Sequence, residues 1–350
     1  MGYNFPESLI ALEGTGNPRV MFVESPPSFS SPSVWNIPPL ELDLSQACAM
    51  ATEGDLVVLN DTRVKPCRIF TSDEVEILFV RQDTPNVWEV LFPLRGMALG
   101  SEFQLPGGRV ATLVSKGLPQ KIEIRGGSLS TDYFDQYGEL ALPPYIQRMR
   151  GERHCRALDR QRYQSDWSRV EGSVAAPTAS LHFDRTHIDD WMKRGVEVAW
   201  TTLHVGLGTF LPIKAENLAD HKMHKEWCRI PKKTLQLIAQ TRSRGGRVFA
   251  LGTTVARTLE SWAQHLLKEE DEEWVGETDL FIRPGFEFRV VDVLMTNFHQ
   301  PESTLLAMVC AFAGQERVLS SYQWAVERGF RLFSYGDLTI WEKCPVPLKS

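Results

Sequence analysis

Val196-Glu-Val-Ala-Trp-Thr-Thr-Leu203, Arg247-Val-Phe-Ala-Leu251 and Val290-Val-Asp-Val-Leu-Met295 are apolar runs of strand length. Each ends in a turn rich in Gly, Thr or His: His204-Val-Gly-Leu-Gly-Thr209, Gly252-Thr-Thr254 and Thr296-Asn-Phe-His-Gln-Pro-Glu-Ser303. The second and third lead into helical patterns, Val255–Leu267 and Pro301–Ala313, with Pro301 suited to a first helical position. Buried parallel strands read this way, and open α/β sheets bind ligands beyond the carboxyl ends of their strands. The polar turn residues are therefore expected to converge on one site.

Working outward, Asp55-Leu-Val-Val-Leu-Asn60 is a further buried strand ending at a polar turn. Leu40–Thr52 reads as a short helix or turn, and the Pro/Ser-rich stretch 24–39 as an irregular surface segment. Between about 64 and 141 the texture changes to short β-branched runs, Glu74–Arg81, Val87–Phe92, Glu102–Leu105, Arg109–Val114 and Lys121–Arg125. Gly and Pro turns separate them at roughly the 8–12-residue spacing of a small all-β unit. After Leu142-Pro-Pro-Tyr, strands and helices alternate again, with amphipathic helices at Asp184–Lys193 and Lys232–Ser243, and Lys268–Glu273 reads as an acidic loop. The expected fold is α/β, a mostly parallel sheet with flanking helices. It is divided into a discontinuous domain, 1–63 and 146–350, and an inserted β domain, 64–145.

A chain of 350 residues, 43% hydrophobic and 23% charged, can bury a full core and predicts two domains. No apolar run reaches the ~18–20 residues of a membrane span, and Met1-Gly-Tyr-Asn-Phe-Pro lacks the regions of a signal peptide. The expectation is a cytoplasmic protein without membrane contact, and a monomer. Six cysteines without a Cys-x-x-Cys pair read as reduced structural thiols. The net charge of −6 argues against general affinity for nucleic acid, but net charge hides distribution. Between Arg148 and Arg162 six arginines face only Glu152 and Asp159, a local +4 that fits either a phosphate-binding segment or a solvated linker.

Among residues able to carry chemistry, His204, Gly206 and Gly208 form a turn in which backbone can approach a ligand closely. A third glycine at the dinucleotide spacing is missing. Gly252, Thr253 and Thr254 stand at a helix start, where free N–H groups favour an anion; helix capping by either threonine is the alternative. His221, His224 and Glu226 are the sharpest polar cluster, suited to proton transfer or substrate orientation. A metal pair is the lesser reading, because the His-Glu-x-x-His pattern is absent. His182 follows the Pro177-Thr-Ala turn and His299 follows a buried strand; single histidines at such places often serve hydrogen-bonded packing. Glu277 and Asp279 offer two carboxylates expected to diverge on an extended segment, one facing the site.

Ala175-Ala-Pro-Thr-Ala-Ser-Leu-His-Phe183, Thr202–Phe210, His221-Lys-Met-His-Lys-Glu-Trp227, Gly252-Thr-Thr254, Gly276-Glu-Thr-Asp-Leu-Phe281 and Leu294-Met-Thr-Asn-Phe-His299 occur in one order. With Leu59-Asn-Asp-Thr-Arg-Val64, Leu142-Pro-Pro-Tyr-Ile146 and Tyr335-Gly-Asp337, the set resembles the S-adenosylmethionine:tRNA ribosyltransferase-isomerases of queuosine biosynthesis, from about residue 54 to 338. The resemblance implies that the inserted domain is a β-barrel. It implies transfer and isomerisation of the ribosyl moiety of S-adenosylmethionine onto 7-aminomethyl-7-deazaguanine at the tRNA wobble position. Epoxyqueuosine forms, and adenine and methionine leave. S-adenosylmethionine is then a substrate, no further cofactor or metal is implied, and tRNA is the macromolecular partner.

The chemistry implied needs a base for the proton beside the sulfonium, a proton donor for adenine and a clamp for the ribose. Those roles are assigned as a group to His221, His224, Glu226, Glu277, Asp279 and His299. Substrate binding is assigned to His182, His204, Gly206, Gly208, Gly252, Thr253 and Thr254. Arg63, with an ion pair to Asp61 as its alternative, and Arg148, Arg150 and Arg153 are assigned to tRNA. Four departures from the family pattern stand out: Ser180 for Gly, Pro93-Leu94-Arg95 for Pro-Ser-Lys, Cys228 for Tyr, and a segment before residue 54 unlike the usual one. They keep two alternatives open, a relative using S-adenosylmethionine with another acceptor and a non-catalytic RNA-binding relative.

Overall fold

Leu56-Val-Val-Leu-Asn60 has too few polar positions to face water on either side, and all five residues are buried. It sits inside a sheet, and the rest of the larger unit is built outward from it. A computed structural model of the protein describes residues 1–14, 16–25, 37–94, 96–206 and 223–344. Most of the Pro/Ser-rich stretch, 26–36, lies outside them. The chain divides into two compact units, one of residues 1–63, 162–170 and 176–350, the other of 64–161 and 171–175.

In the larger unit ten strands form one sheet. Across it they run Lys268–Glu270, Glu273–Thr278, Glu226–Pro231, Glu197–Leu203, Leu56–Asn60, Val248–Leu251, Val293–Asn297, Leu338–Glu342, Val20–Val23 and Leu40–Leu42. The four strands Glu197–Leu203, Leu56–Asn60, Val248–Leu251 and Val293–Asn297 are mutually parallel, and Val20–Val23 is parallel to Leu338–Glu342. The other five pairings are antiparallel. The sheet is therefore mixed, which corrects the expectation of a mostly parallel one. The reason lies at the margins. Glu226–Pro231 alternates buried and exposed side chains, as antiparallel strands with one covered face do. The supposed acidic loop at Lys268–Glu273 is a tight hairpin.

Helices cover both faces of the central strands. Val57, Leu59, Phe249, Leu251, Val293 and Met295 share a core with Ile188 and Trp191 of helix Arg185–Lys193 and Leu44 and Ala47 of helix Leu44–Ala49. Trp191 is fully buried, and its indole N–H donates to the Cys48 carbonyl at 3.0 Å, so the ring enters the core without an orphaned donor. Helices Lys232–Ser243 and Thr253–Ala263 pack on Glu197–Leu203, Leu56–Asn60 and Val248–Leu251. Two expected boundaries shift. Leu40–Leu42 pairs as a strand before Asp43 caps the helix through a reciprocal bond with Gln46. The apolar helix near Pro301 starts at Thr304, because the Ser303 hydroxyl caps it by accepting the Leu306 N–H at 3.1 Å.

Tyr335-Gly-Asp337 proves to be a staple. The Asp337 carboxylate accepts the backbone N–H groups of Arg19 and Arg331 at 3.0 and 2.7 Å. A Cβ on Gly336 would run into the backbone of Arg331 and Leu332, so only glycine fits.

In the smaller unit six antiparallel strands run Arg68–Phe70, Glu76–Thr84, Val87–Leu91, Gln120–Arg125, Arg109–Ser115 and Glu102–Leu105. Ile77, Phe79, Val90, Leu113 and Ile122 are almost fully buried along it. A backbone bond from Ser72 N–H to the Gln104 carbonyl, 3.1 Å, links its two ends, giving a nearly closed, barrel-like sheet. Residues 146–161, expected with the α/β domain, belong to this unit. Polar contacts hold them there, Cys155 N–H to the Glu139 carboxylate at 2.8 Å and Arg160 to the Gly138 carbonyl at 2.5 Å, and a buried Arg150–Asp159 ion pair at 2.8 Å ties the segment to itself.

The carboxyl ends of the central strands are tied by Asn60, which is fully buried. Its Nδ2 donates to the Leu203 carbonyl at 3.1 Å and to Thr254 Oγ1 at 3.2 Å. Its Oδ1 accepts the N–H groups of Leu203 and Thr62, each at 3.1 Å. Every hydrogen-bonding position of the carboxamide is used. Asn60→Ala strands several buried groups, each costing about 1–3 kcal/mol. Urea unfolding is expected to show a loss of at least ~2 kcal/mol at unchanged m-value, and a loss under ~0.5 kcal/mol would contradict this role.

Candidate functional site

The strand ends Asn60, Leu203, Leu251 and Asn297 lie along one edge of the parallel core, and the chain segments leaving them carry most of the expected site residues. Gly252 has a φ of 102° and gives helix Thr253–Ala263 its start. No side chain caps that helix, so the capping alternative for Thr253 and Thr254 does not apply. Thr254 Oγ1 instead receives Asn60, and both threonines are buried.

One turn along the same helix, Arg257 forms an ion pair with Glu226. Both side chains are buried, at 7% and 4% exposure, and burial pulls the Arg257 guanidinium down to about 10. The second Glu226 oxygen accepts the Gly206 N–H at 2.8 Å. A helix, a strand start and the turn after Leu203 are thus joined through one carboxylate. Arg257 was not singled out from the sequence. Its signal was a charged residue within Val255-Ala-Arg-Thr-Leu259, four positions after Thr253 and so on the same helix face.

Strand Glu226–Pro231 then divides the expected His-His-Glu cluster. Glu226 faces inward, and Trp227 faces outward to stack on His204, with ring centroids 4.9 Å apart and planes 22° from parallel. His204 Nδ1 lies 2.7 Å from Thr62 Oγ1. His224 precedes the strand and is half-buried; His221 and Gly208 lie outside the described residues. Glu277 and Asp279 are both exposed, with buried Thr278 between them. Residues two apart in extended chain share a side, which corrects the expectation that the two carboxylates diverge.

His182 and His299 are held differently. Thr178 Oγ1 donates to Asn297 Oδ1 at 2.9 Å, so Asn297 Nδ2 donates to His182 Nε2 at 2.9 Å and leaves the ring proton on Nδ1. Burial, aided by Arg331, pulls His182 down to about 4. His299 Nε2 lies 3.0 Å from Thr296 Oγ1, its N–H donates to Tyr322 Oη at 3.1 Å, and its carbonyl accepts Tyr3 Oη–H at 2.7 Å. Burial pulls it down to about 3. Both imidazoles are neutral at pH 7.

Among the departures, Ser180 is fully buried and its hydroxyl makes no hydrogen bond. Cys228 packs on the inward side, where burial pushes its thiol up to about 12. Arg95 lies outside the described residues. Arg63 and Arg148 are exposed, and Asp61 is paired with Arg169 at 2.7 Å. Arg153 is exposed and donates to the Glu74 carbonyl, whereas Arg150 is consumed by Asp159. Among the described residues no group of three His, Cys, Asp or Glu could hold a metal ion, and no helix is long and apolar enough to cross a membrane.

The chain matches the family described as Queuosine biosynthesis protein over residues 3–340. The chain belongs to that family. The S-adenosylmethionine:tRNA ribosyltransferase-isomerase of Citrifermentans bemidjiense is 45% identical over 306 residues, 85% of this chain and 87% of the relative. The enzyme of the same name from Xylella fastidiosa strain M12 is 41% identical over 345 residues, 96% of this chain and 94% of its own. The crystal structure of the S-adenosylmethionine tRNA ribosyltransferase from Thermotoga maritima aligns with a TM-score of 0.53 at 29% identity, covering 97% of this chain and 99% of that one.

Two outcomes follow. Arg257→Met leaves Glu226 buried without its partner, a change of about 3–5 kcal/mol. The double variant Arg257→Met/Glu226→Leu should recover most of that stability in urea unfolding while the Gly206 turn loses its acceptor; no recovery would contradict the pairing. His182 and His299 bind protons more weakly folded than unfolded, so stability is full above about pH 6.5 and falls as pH drops toward 4 for His182 and 3 for His299. His299→Gln should flatten the fall between pH 6 and 4; an unchanged slope would contradict the depressed imidazole.

Proposed function

We propose that this protein transfers and isomerises the ribosyl moiety of S-adenosylmethionine onto 7-aminomethyl-7-deazaguanine at the wobble position of tRNA, giving epoxyqueuosine and releasing adenine and methionine. The observation that carries the reading is the match across residues 3–340, and it is supported by Gly206, Gly252, Thr254 and Asn297 standing at the carboxyl ends of the parallel strands. Relatives 41–45% identical over 81–96% of the chain bear the name of this activity.

The residues suit the chemistry. The uncapped helix start at Thr253–Thr254 presents N–H groups to a carboxylate such as that of methionine. Gly206 keeps a side chain out of the segment after Leu203, so backbone can lie close to a ribose. Removal of the proton beside the sulfonium needs a base, and departing adenine needs a donor. His221, His224, Glu277 and Asp279 are our candidates for those transfers. Glu226, engaged by Arg257 and Gly206, is assigned to holding the turn, and His299, buried behind the strand end, to orienting its surroundings. His182 presents a neutral ring with its proton on Nδ1 and is assigned to the substrate. For tRNA phosphates we propose Arg63, Arg148, Arg153 and the exposed Arg160, with Arg150 held back by its ion pair.

Purified protein incubated with S-adenosylmethionine and tRNA carrying 7-aminomethyl-7-deazaguanine is expected to release adenine, followed by chromatography, and to release none with tRNA carrying guanine. Alanine at His221, His224, Glu277 or Asp279 should lower turnover by about 10²–10⁴ for any that transfers a proton. Wild-type rates in all four would sink the assignment. Saturable binding of S-adenosylmethionine without adenine release would point to another acceptor.

A further inference from the structure

Among the described residues Trp227 is the only exposed tryptophan, at 36%. Its place in the strand forces this outward direction, since Glu226 and Cys228 on either side are buried inward. The ring is not loose. His204 lies nearly parallel against one face, its N–H donates to the Trp227 carbonyl at 3.0 Å, and its Nδ1 is held 2.7 Å from Thr62 Oγ1. The antiparallel register sets Glu277 directly opposite Trp227, so the two side chains project from one side of the sheet. Asp279, exposed, follows two residues on. An aromatic plane backed by a second ring, with carboxylates beside it, lies next to the turn that bears Gly206.

We infer that Trp227 is the stacking platform for the acceptor base, with Glu277 receiving the ammonium of its aminomethyl arm. This rests on the function proposed above. A fixed indole binds any flat heterocycle through its face, and such stacking is indifferent to the base. Selectivity has to come from the edge. A primary ammonium on the base distinguishes the modified nucleotide from guanine, and Glu277 is the charge complement to it. Exposed carboxylates also repel phosphate, so what docks here is a base and not the backbone around it.

The test is a separation of KM values in the adenine-release assay, with the fold of each variant checked by thermal unfolding. Trp227→Ala should raise the KM for the modified tRNA about tenfold or more, the equivalent of ~1.4 kcal/mol. The KM for S-adenosylmethionine should stay within about twofold, and Trp227→Phe should restore most of the loss. Glu277→Gln should erase the preference for tRNA bearing the aminomethyl base over tRNA bearing guanine in a binding competition. A raised KM for S-adenosylmethionine with tRNA unaffected would place adenine on the platform and overturn the inference, as would two unchanged KM values. Failure of the wild-type protein to release adenine at all would instead overturn the function on which it rests.

Discussion

The Asn60 carboxamide is the constraint around which the site is assembled. It bonds to both the N–H and the carbonyl of Leu203, to the N–H of Thr62 and to the hydroxyl of Thr254. These partners belong to one neighbouring parallel strand, to the short strand Thr62–Val64 that follows Asn60, and to the helix that follows the strand on the other side. No other residue type offers two donors and two acceptor positions on so short a stem. Aspartate would lack the donors and bring a buried charge, and glutamine would overreach. Because the group is fully buried, each bond has to be made, and the strand exits are held in one register.

From that register the two sides of the sheet acquire different tasks. Inward, Glu226 and Arg257 form a dry ion pair that links the Gly206 turn to the helix after Gly252. Such a pair contributes little net stability, since desolvation offsets much of the attraction. What it supplies is geometry, because neither partner can be released without leaving a buried charge. On the other side, buried Asp61 accepts from buried Thr202 and pairs with the exposed Arg169, and His204 and Trp227 stack beside them. Buried charge thus holds the strand exits on both sides, while the Trp227 ring stays exposed.

The parallel core was legible because its strands are buried on both faces and read as unbroken apolar runs. The antiparallel margins were not, for the opposite reason. Lys268–Glu270 is exposed throughout and owes its strand conformation to pairing with Glu273–Thr278, which no periodicity announces. The site shows the same division. Gly206, Gly252, Thr253 and Thr254 stood out because turns need particular residues. Arg257 and Asn60 did not, since their importance comes from partners some 31 and 194 positions away. Within the arginine segment the pairing was not legible: Arg150 bonds to Asp159, nine positions on, in the short helix Ala157–Arg162.

The electrostatics reconcile an acidic chain with the polyanionic partner proposed above. Internal pairing within 148–162 matches Arg150 to Asp159 and Arg156 to Glu152, removing two charges of each sign. Arg148, Arg153 and Arg160 remain exposed, and the bonds of Arg153 and Arg160 to backbone carbonyls fix their direction without lowering their charge. The local excess of positive charge therefore survives folding and is better ordered than in a free linker. At ionic strengths near 0.15 M fields decay over about 8 Å, so a phosphate senses these arginines and not the net charge of the whole molecule. Attraction of the proposed partner is then confined to a few fixed points, and such contacts position a nucleic acid without reading its bases.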